Sequence, residues 1–279
     1  MSNQAGLQSG VSRSPLGSAA TLDGPTHPIR RTGLRSAVKG MTAWLDRVLY
    51  PGFGCNWDDE RFRAAILEHV CAETDCLDYG AGRGNVRQMN FRGIARRVAG
   101  IDPEPEVHDN PHLDESGLLD LQTGRIPYPD AAFDLVFADN VMEHVEDPDQ
   151  VFCEIQRVLR PGGRFLAKTP NKWHYMPTIA RSTPTWFHRF YNRLRGRDVV
   201  DTFPTTYQCN TRAAVVKSAA VAGLVVRNVQ FIEGRPEYLR ITPPTYVCGW
   251  LYERLVNSSR VFEGFRCVMI FELQKPPST

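Results

Sequence analysis

The run Cys76-Leu77-Asp78-Tyr79-Gly80-Ala81-Gly82-Arg83-Gly84 sets three glycines at alternate positions directly behind a short apolar stretch that carries an acid. Glycine lets backbone approach a ligand closely where a strand ends, so the run reads as a nucleotide-type site. A dinucleotide fingerprint needs its third glycine one residue later, and position 85 is Asn. The carboxylate of Asp78, two residues ahead of the first glycine, would repel a pyrophosphate and attract a cationic ligand group. Asp102 closes the next apolar run, Val98-Ala99-Gly100-Ile101-Asp102. A carboxylate there can accept both hydroxyls of a free ribose and would repel a 2'-phosphate. The charge of Asp78 suits the cationic amino group or sulfonium of S-adenosylmethionine and favours a methyl donor over a dinucleotide.

Two further segments carry chemistry. Asp139-Asn140-Val141-Met142-Glu143-His144-Val145 follows the apolar run 133–138. His144 is a candidate base, because methylating a hydroxyl releases a proton and imidazole titrates near neutrality. The alternative is that Glu143 and His144 cap and orient the helix behind them. From Lys168 to Arg197 there are seven cations, Lys168, Lys172, Arg181, Arg189, Arg193, Arg195 and Arg197, and no acid. Aromatic residues are interleaved with them, so Lys172, Trp173, His174, Arg189 and Arg193 are candidates for holding an acceptor, one with negative charge or a ring face. A solvated basic face is the competing reading.

Between about Cys76 and Asn171 the pattern resembles the class I S-adenosylmethionine-dependent methyltransferases, particularly the small-molecule branch that includes the ubiquinone and menaquinone methyltransferases. Ile126-Pro127-Tyr128-Pro129-Asp130-Ala131-Ala132-Phe133-Asp134-Leu135-Val136 and Arg160-Pro161-Gly162-Gly163 are similar to two of that family's motifs, in order and spacing. The resemblance implies that Asp78, Gly80, Ala81, Gly82 and Gly84 bind the methionine part of the cofactor and that Asp102 binds ribose. It also implies Asp120 as the adenine-side acid, Asp139 and Asn140 at the cofactor, and His144 beside the reacting centre. Fold and activity follow as expectations: a doubly wound, mostly parallel seven-stranded sheet with helices on both faces, and transfer of a methyl group to a small-molecule or glycan acceptor. Oxygen is the expected target, with a quinone-like carbon or noncatalytic cofactor binding as alternatives. A dehydrogenase is disfavoured by the glycine spacing.

Short apolar runs alternating with helical patterns must position these residues. Strands are predicted over 75–79, 97–101, 133–138, 163–168, 224–231 and 267–273. Helices are predicted from about 58 to 71, from Pro148 with a buried stripe of Val151, Phe152, Ile155, Val158 and Leu159, from a Thr211 cap to Gly223, and over 246–257. Ahead of them Leu34, Val38, Met41, Trp44, Leu45, Val48 and Leu49 recur at helical spacing up to Pro51-Gly52. Such a helix could lie on a membrane surface, but covering the cofactor pocket is the reading taken, with Tyr50, Phe53 and Trp57 either at the cofactor entrance or in a purely structural packing role. The chain thus divides into a disordered tail at 1–30, a helical cap at 31–72 and a methyltransferase domain at 73–279 with a lid insertion at 169–209.

Composition bounds the rest. With 279 residues, 42% of them hydrophobic, the chain can bury one substantial core. Its net charge of +2 lacks the strongly basic balance of a dedicated nucleic-acid binder. No apolar stretch is long enough for membrane insertion, and no ligand spacing points to a metal. Seven cysteines without a C-x-x-C pair read as buried thiols of a cytoplasmic protein.

Overall fold

Seven strands form one sheet in the computed structural model, which describes residues 30–54, 56–182 and 204–278. They are β1 (Asp75–Tyr79), β2 (Arg97–Asp102), β3 (Glu115–Leu118), β4 (Phe133–Asp139), β5 (Leu159–Pro170), β6 (Val225–Ile232) and β7 (Val268–Gln274). Their order is β3-β2-β1-β4-β5-β7-β6, with β7 the antiparallel member. This is the doubly wound arrangement expected from the sequence. The chain steps outward from β1 to β3 and then returns to β4 on the other side of β1, so a crevice opens beyond the carboxyl ends of β1 and β4. Every residue of β1 is buried, as a central parallel strand covered on both faces requires.

Helices are α1 (Arg30–Leu49), α2 (Trp57–Leu67), α3 (Pro148–Val158), α4 (Tyr175–Ser182), α5 (Arg212–Val221) and α6 (Pro243–Asn257). In α3 the Asp147 carboxylate accepts from Gln150 N, Pro148 opens the first turn, and Phe152, Ile155 and Val158 face inward. There Phe152 meets Phe165 of β5 and Phe271 of β7 at ring separations of 5.5 and 6.0 Å. Thr211 caps α5 as expected, while α6 starts ahead of Tyr246 because Thr242 and Thr245 form a reciprocal capping box. α2 stops at Leu67 rather than Cys71, the chain tightening there through His69 N to Ile66 O. The segment Glu-Ser-Gly-Leu of β3 was not anticipated as a strand: it is four residues long and lies at the sheet edge, with only β2 for a neighbour.

Residues 1–37 and 38–279 separate into two units, and of the first only the start of α1 is described. The expected disordered tail therefore falls outside the described residues. In the second unit α1 binds through its polar face: Thr42 and Tyr50 are buried, and Asp46 meets Arg240, Arg235 and the Tyr246 hydroxyl. The expected apolar stripe is split: Val38, Leu45 and Leu49 are half-buried, while Met41, Trp44 and Val48 are each 53% exposed. The cysteines also depart from expectation. Cys76 and Cys209 are buried, but Cys71, Cys153 and Cys248 are exposed, the first beyond the end of α2 and the others on outward faces of α3 and α6.

Candidate active site

The glycine loop leaves β1 and folds back over the end of β2, with Gly80 N donating to Ile101 O at 2.8 Å. Gly80, Gly82 and Gly84 all have positive φ, a region that disfavours side chains. At Gly84 a side chain would strike the Asn110 carboxamide, whose Oδ1 would lie 2.3 Å from the added carbon. At Gly82 nothing lies within 4 Å, so the backbone there is open to a ligand. Asn110 clamps the loop from beneath, its Nδ2 donating to Ala81 O and Gly82 O at 2.9 and 3.2 Å. Sequence reading missed it, because it lies in a short irregular segment with no periodicity to mark it.

Three carboxylates lie at or next to the carboxyl ends of three adjacent strands. Asp78 lies on β1 between Gly100 of β2 and Phe137 of β4, Asp102 ends β2 and Asp139 ends β4. The Asp102 carboxylate accepts from Gly82 N at 3.0 Å and Glu104 N at 2.9 Å, so it already faces the loop. Burial pushes the proton affinity of Asp78 well above the usual carboxylate range, and the charges of Asp139 and Asp102 add to it. Burial likewise raises Asp139 to about 6, against the opposing pull of Lys168. No cation pairs with Asp78 among the described residues, and Asp139 Oδ2 is buried without a hydrogen-bond partner. A group of buried acids of this kind suits a ligand ammonium, so the residues fit the amino-acid end of S-adenosylmethionine. Asn140 follows at φ 54°, a strained left-handed position, with its amide nitrogen on Lys168 O and its side chain on Asp139.

Lys168 is the counterweight. Fully buried on β5 opposite Asp139, it places Nζ 2.9 Å from Asp139 Oδ1 and 3.1 Å from Asp58 Oδ2, and it also meets Asp59. Burial works against its charge, but the three acids together hold its proton affinity above the ordinary lysine range. In the basic run from Lys168 to Arg197, this residue is therefore neutralised by acids from α2 and β4. Nothing near Lys168 in sequence announces those acids, and at the start of α2 they read as complements to the helix dipole.

After β4 the chain is tied to the end of β5. Glu143 is buried and its Oε2 accepts from Thr169 Oγ1 at 2.9 Å, while Asn210 Nδ2 donates to Thr169 Oγ1 at 2.7 Å. The Glu143 carbonyl also accepts from Thr206 N and Tyr207 N. This network holds His144, whose Nδ1 lies 3.0 Å from Pro204 O. A carbonyl can only accept, so Nδ1 carries the hydrogen in the neutral ring and Nε2 carries the lone pair. The capping alternative fails on one point: the helix that follows is capped by Asp147.

The remaining candidates are not brought together. Asp120 is exposed, and its carboxylate accepts from Gln122 N and Thr123 Oγ1 in the turn after β3. Lys172 reaches Tyr207 O at 3.2 Å, Trp173 points outward at 56% exposure, and His174 is buried beside Tyr175, Tyr238 and Tyr252. Burial lowers the pKa of His174 to about 3 and raises that of Glu233, 3.7 Å away, to about 8. Arg189 and Arg193 lie outside the described residues. Tyr50, Phe53 and Trp57, expected at the cofactor entrance, form a packed row: Tyr50 donates to Glu253, and a side chain at Gly234 would collide with Phe53 and Trp57.

Residues 77–167 match the family model described as a methyltransferase domain. A protein of Mycolicibacterium smegmatis named a probable S-adenosylmethionine-dependent methyltransferase is 32% identical over 166 residues, covering 58% of this chain and 63% of its own length. The sterol 4-C-methyltransferase strm-1 of Caenorhabditis elegans is 31% identical over 117 residues, covering 36% of this chain and 35% of its own. A chain from a complex that contains the Haloferax volcanii Trm112 methyltransferase activator shares the fold at a TM-score of 0.51 and 17% identity, over 88% of this chain and 96% of that one. Over residues 77–167 the chain is thus similar to methyltransferase domains, and S-adenosylmethionine dependence is what the Mycolicibacterium relative's name states. The chain spans less than two thirds of the length of these sequence relatives, 63% of one and 35% of the other.

Proposed function

We propose that this protein transfers the methyl group of S-adenosylmethionine to a hydroxyl oxygen of a small-molecule or saccharide acceptor, and that the acceptor is anionic. The observation that carries the reading is the acidic rim, in which Asp78, Asp102 and Asp139 lie at or next to the carboxyl ends of adjacent strands beside a glycine loop and Asp78 has no cationic partner among the described residues. Asp78 and Asp139 would hold the ammonium, Asp102 the ribose hydroxyls, and the open backbone at Gly82 the methionine chain. When bound, the cofactor supplies an electrophilic methyl group on a positively charged sulfur. The chain then has to align the acceptor oxygen behind that methyl, exclude water and take up one proton. His144 supports the last step, because the Pro204 carbonyl leaves Nε2 as its basic nitrogen. The segment after β5, including Lys172, Trp173, Arg189 and Arg193, would hold the acceptor, and its excess of cations favours a carboxylate or phosphate.

A relative that methylates a sterol carbon makes carbon the second reading. Calorimetry with S-adenosylhomocysteine, followed by transfer of labelled methyl to a panel of anionic and neutral hydroxylated acceptors, tests the proposal. We expect binding, and O-methyl products from the anionic members. Absence of S-adenosylhomocysteine binding would reject the cofactor site, label on carbon would select the second reading, and binding without transfer to any acceptor would favour a noncatalytic role.

A further inference from the structure

A cleft of about 690 Å³ opens between α1 and the chain that follows β6, a volume within the usual range of small-molecule sites. Gly40 and Ala43 keep the α1 wall low, and a side-chain carbon added at Gly40 would meet nothing within 4 Å. Tyr50 and Phe53 supply aromatic surface, while Asp46, Arg47 and Arg235 supply charge. No residue of the glycine loop or the acidic rim lines it. β6 runs parallel to β5, because both are antiparallel to β7, so its carboxyl end at Ile232 shares a sheet edge with Asp139. It is the third strand from β4, about 14 Å away at a spacing of about 4.8 Å per strand. A ligand in the cleft would thus sit beside the cofactor rim and leave it free.

The wall of the cleft has more donors than acceptors. Two acids, Asp46 and Glu237, serve two arginines. Asp46 Oδ1 accepts from the Tyr246 hydroxyl at 2.8 Å, and its Oδ2 meets Arg240 and, at 3.6 Å, Arg235 Nη1. Glu237 Oε1 accepts from Arg235 Nε at 2.6 Å and Oε2 from Arg240 Nη1 at 2.9 Å. All four carboxylate oxygens are engaged. Yet Arg235, only 5% exposed, keeps Nη2 buried without a hydrogen-bond partner among the described residues, and so does Nε of Arg240. The next acid, Glu253, is taken by Tyr50, Asn257 and Arg254. Arg47 is exposed on the cleft and forms no ion pair among the described residues. Buried guanidinium donors cost free energy until an acceptor meets them, so the wall lacks a partner. An oxyanion fits best, since it accepts several hydrogen bonds at once and carries the charge that both arginines attract. The faces of Tyr50 and Phe53 leave room for an apolar or aromatic body attached to it.

We infer that this cleft binds a small organic anion, a carboxylate or phosphate on an apolar body, against Arg235 and Arg47. Phenyl phosphate is the probe and benzyl alcohol its uncharged control, each titrated into the full chain by calorimetry. Phenyl phosphate should bind, and benzyl alcohol should bind at least about tenfold more weakly, in line with loss of a charged hydrogen-bond acceptor. R235Q should weaken phenyl phosphate by at least about tenfold for the same reason. R47Q should weaken it about threefold, as for an exposed charge pair, and the difference should shrink as salt is added. A43F fills the cleft from an exposed helix position and should abolish binding. Both R47Q and A43F should keep the wild-type unfolding temperature, so they decide the matter even where R235Q fails to fold. S-adenosylhomocysteine should bind equally well with and without phenyl phosphate. No binding of phenyl phosphate, equal binding of benzyl alcohol, or affinity indifferent to A43F and R47Q would overturn the inference. Competition between phenyl phosphate and S-adenosylhomocysteine would place the anion in the cofactor cleft and overturn it too.

Discussion

Asp75 and Asp78 are three residues apart on β1, both buried, and they meet opposite fates. At the amino end of the strand, Asp75 is ringed by Arg96, Arg97 and Arg160, with Arg160 Nη2 2.7 Å from Oδ2, and its backbone nitrogen donates to Asp134. Those hydrogen bonds, led by Arg96, hold its pKa down to about 2 despite burial. At the carboxyl end burial raises Asp78, and the nearest charges are two more acids. A charge that serves only the fold is balanced by the fold, whereas a charge left unbalanced at a crevice stores an attraction for something else. Lys168 marks the border between the two regimes, since it balances Asp139, Asp58 and Asp59 and leaves Asp78 alone.

If that border is real, Lys168→Met gives the largest effect. Removing one partner strands three carboxylates near a buried position, and we expect a loss of about 3–5 kcal/mol in unfolding free energy, the usual cost of breaking a buried ionic cluster. Chemical denaturation should show a smaller loss at acid pH, where the stranded acids take up protons. A variant as stable as the wild type at neutral pH would mean that Lys168 is dispensable and the cluster merely solvated.

The two ends of β1 should then separate cleanly. Asp75→Asn should cost about 1–3 kcal/mol of stability, because three arginines lose a charged acceptor. It should leave S-adenosylhomocysteine affinity unchanged. Asp78→Asn should do the reverse, keeping or raising stability while weakening S-adenosylhomocysteine roughly 10- to 100-fold, as expected for loss of a charged hydrogen-bond acceptor. Equal effects of both substitutions on both measurements would erase the distinction between the ends.

Much of this contrast was legible in the sequence, and the missing part has a physical pattern. Strands β1, β2 and β4 are apolar runs with turn residues at both ends, and α3 carries its own cap and stripe, so local chemistry sufficed. The glycine loop and Asp102 were legible because their spacing is itself the signal. What escaped depends on distant partners: Asp58 and Asp59 reach Lys168 across about a hundred residues, and Asn110 becomes a clamp only once β2 brings it under Ala81. His174 was misjudged for the opposite reason. Its neighbours in sequence are aromatic and basic, which suggested an open acceptor pocket, but the tertiary fold surrounds it with Tyr175, Tyr238 and Tyr252. The α1 periodicity identified a helix but not which of its apolar residues are covered: Val38, Leu45 and Leu49 are half-buried, whereas Met41, Trp44 and Val48 are exposed.

The smallest expected effect is also the most specific: S-adenosylhomocysteine affinity should depend on pH with a sign opposite to that of apoprotein stability. Asp139 has a folded pKa of about 6 against an ordinary 3.8. Between those values the folded protein holds more protons than the unfolded chain, so the contribution of Asp139 to stability is greatest below about pH 4 and is lost as pH rises to 6. Asp75, lowered to about 2, behaves inversely, contributing stability above its unfolded value and losing it as pH falls below 4. A ligand ammonium reverses the sign at the carboxyl end only. It favours the ionised carboxylate, so binding must expel whatever proton Asp139 holds, and affinity should climb with pH through about 6 and then level off, with Asp78 adding to the climb in the same direction. Calorimetry from pH 5 to 8 should show this rise together with proton release at the acid end. In Asp139→Asn the profile should flatten in proportion to that acid's share. A wild-type affinity that stays constant from pH 5 to 8 would mean that the ammonium does not sit against these carboxylates.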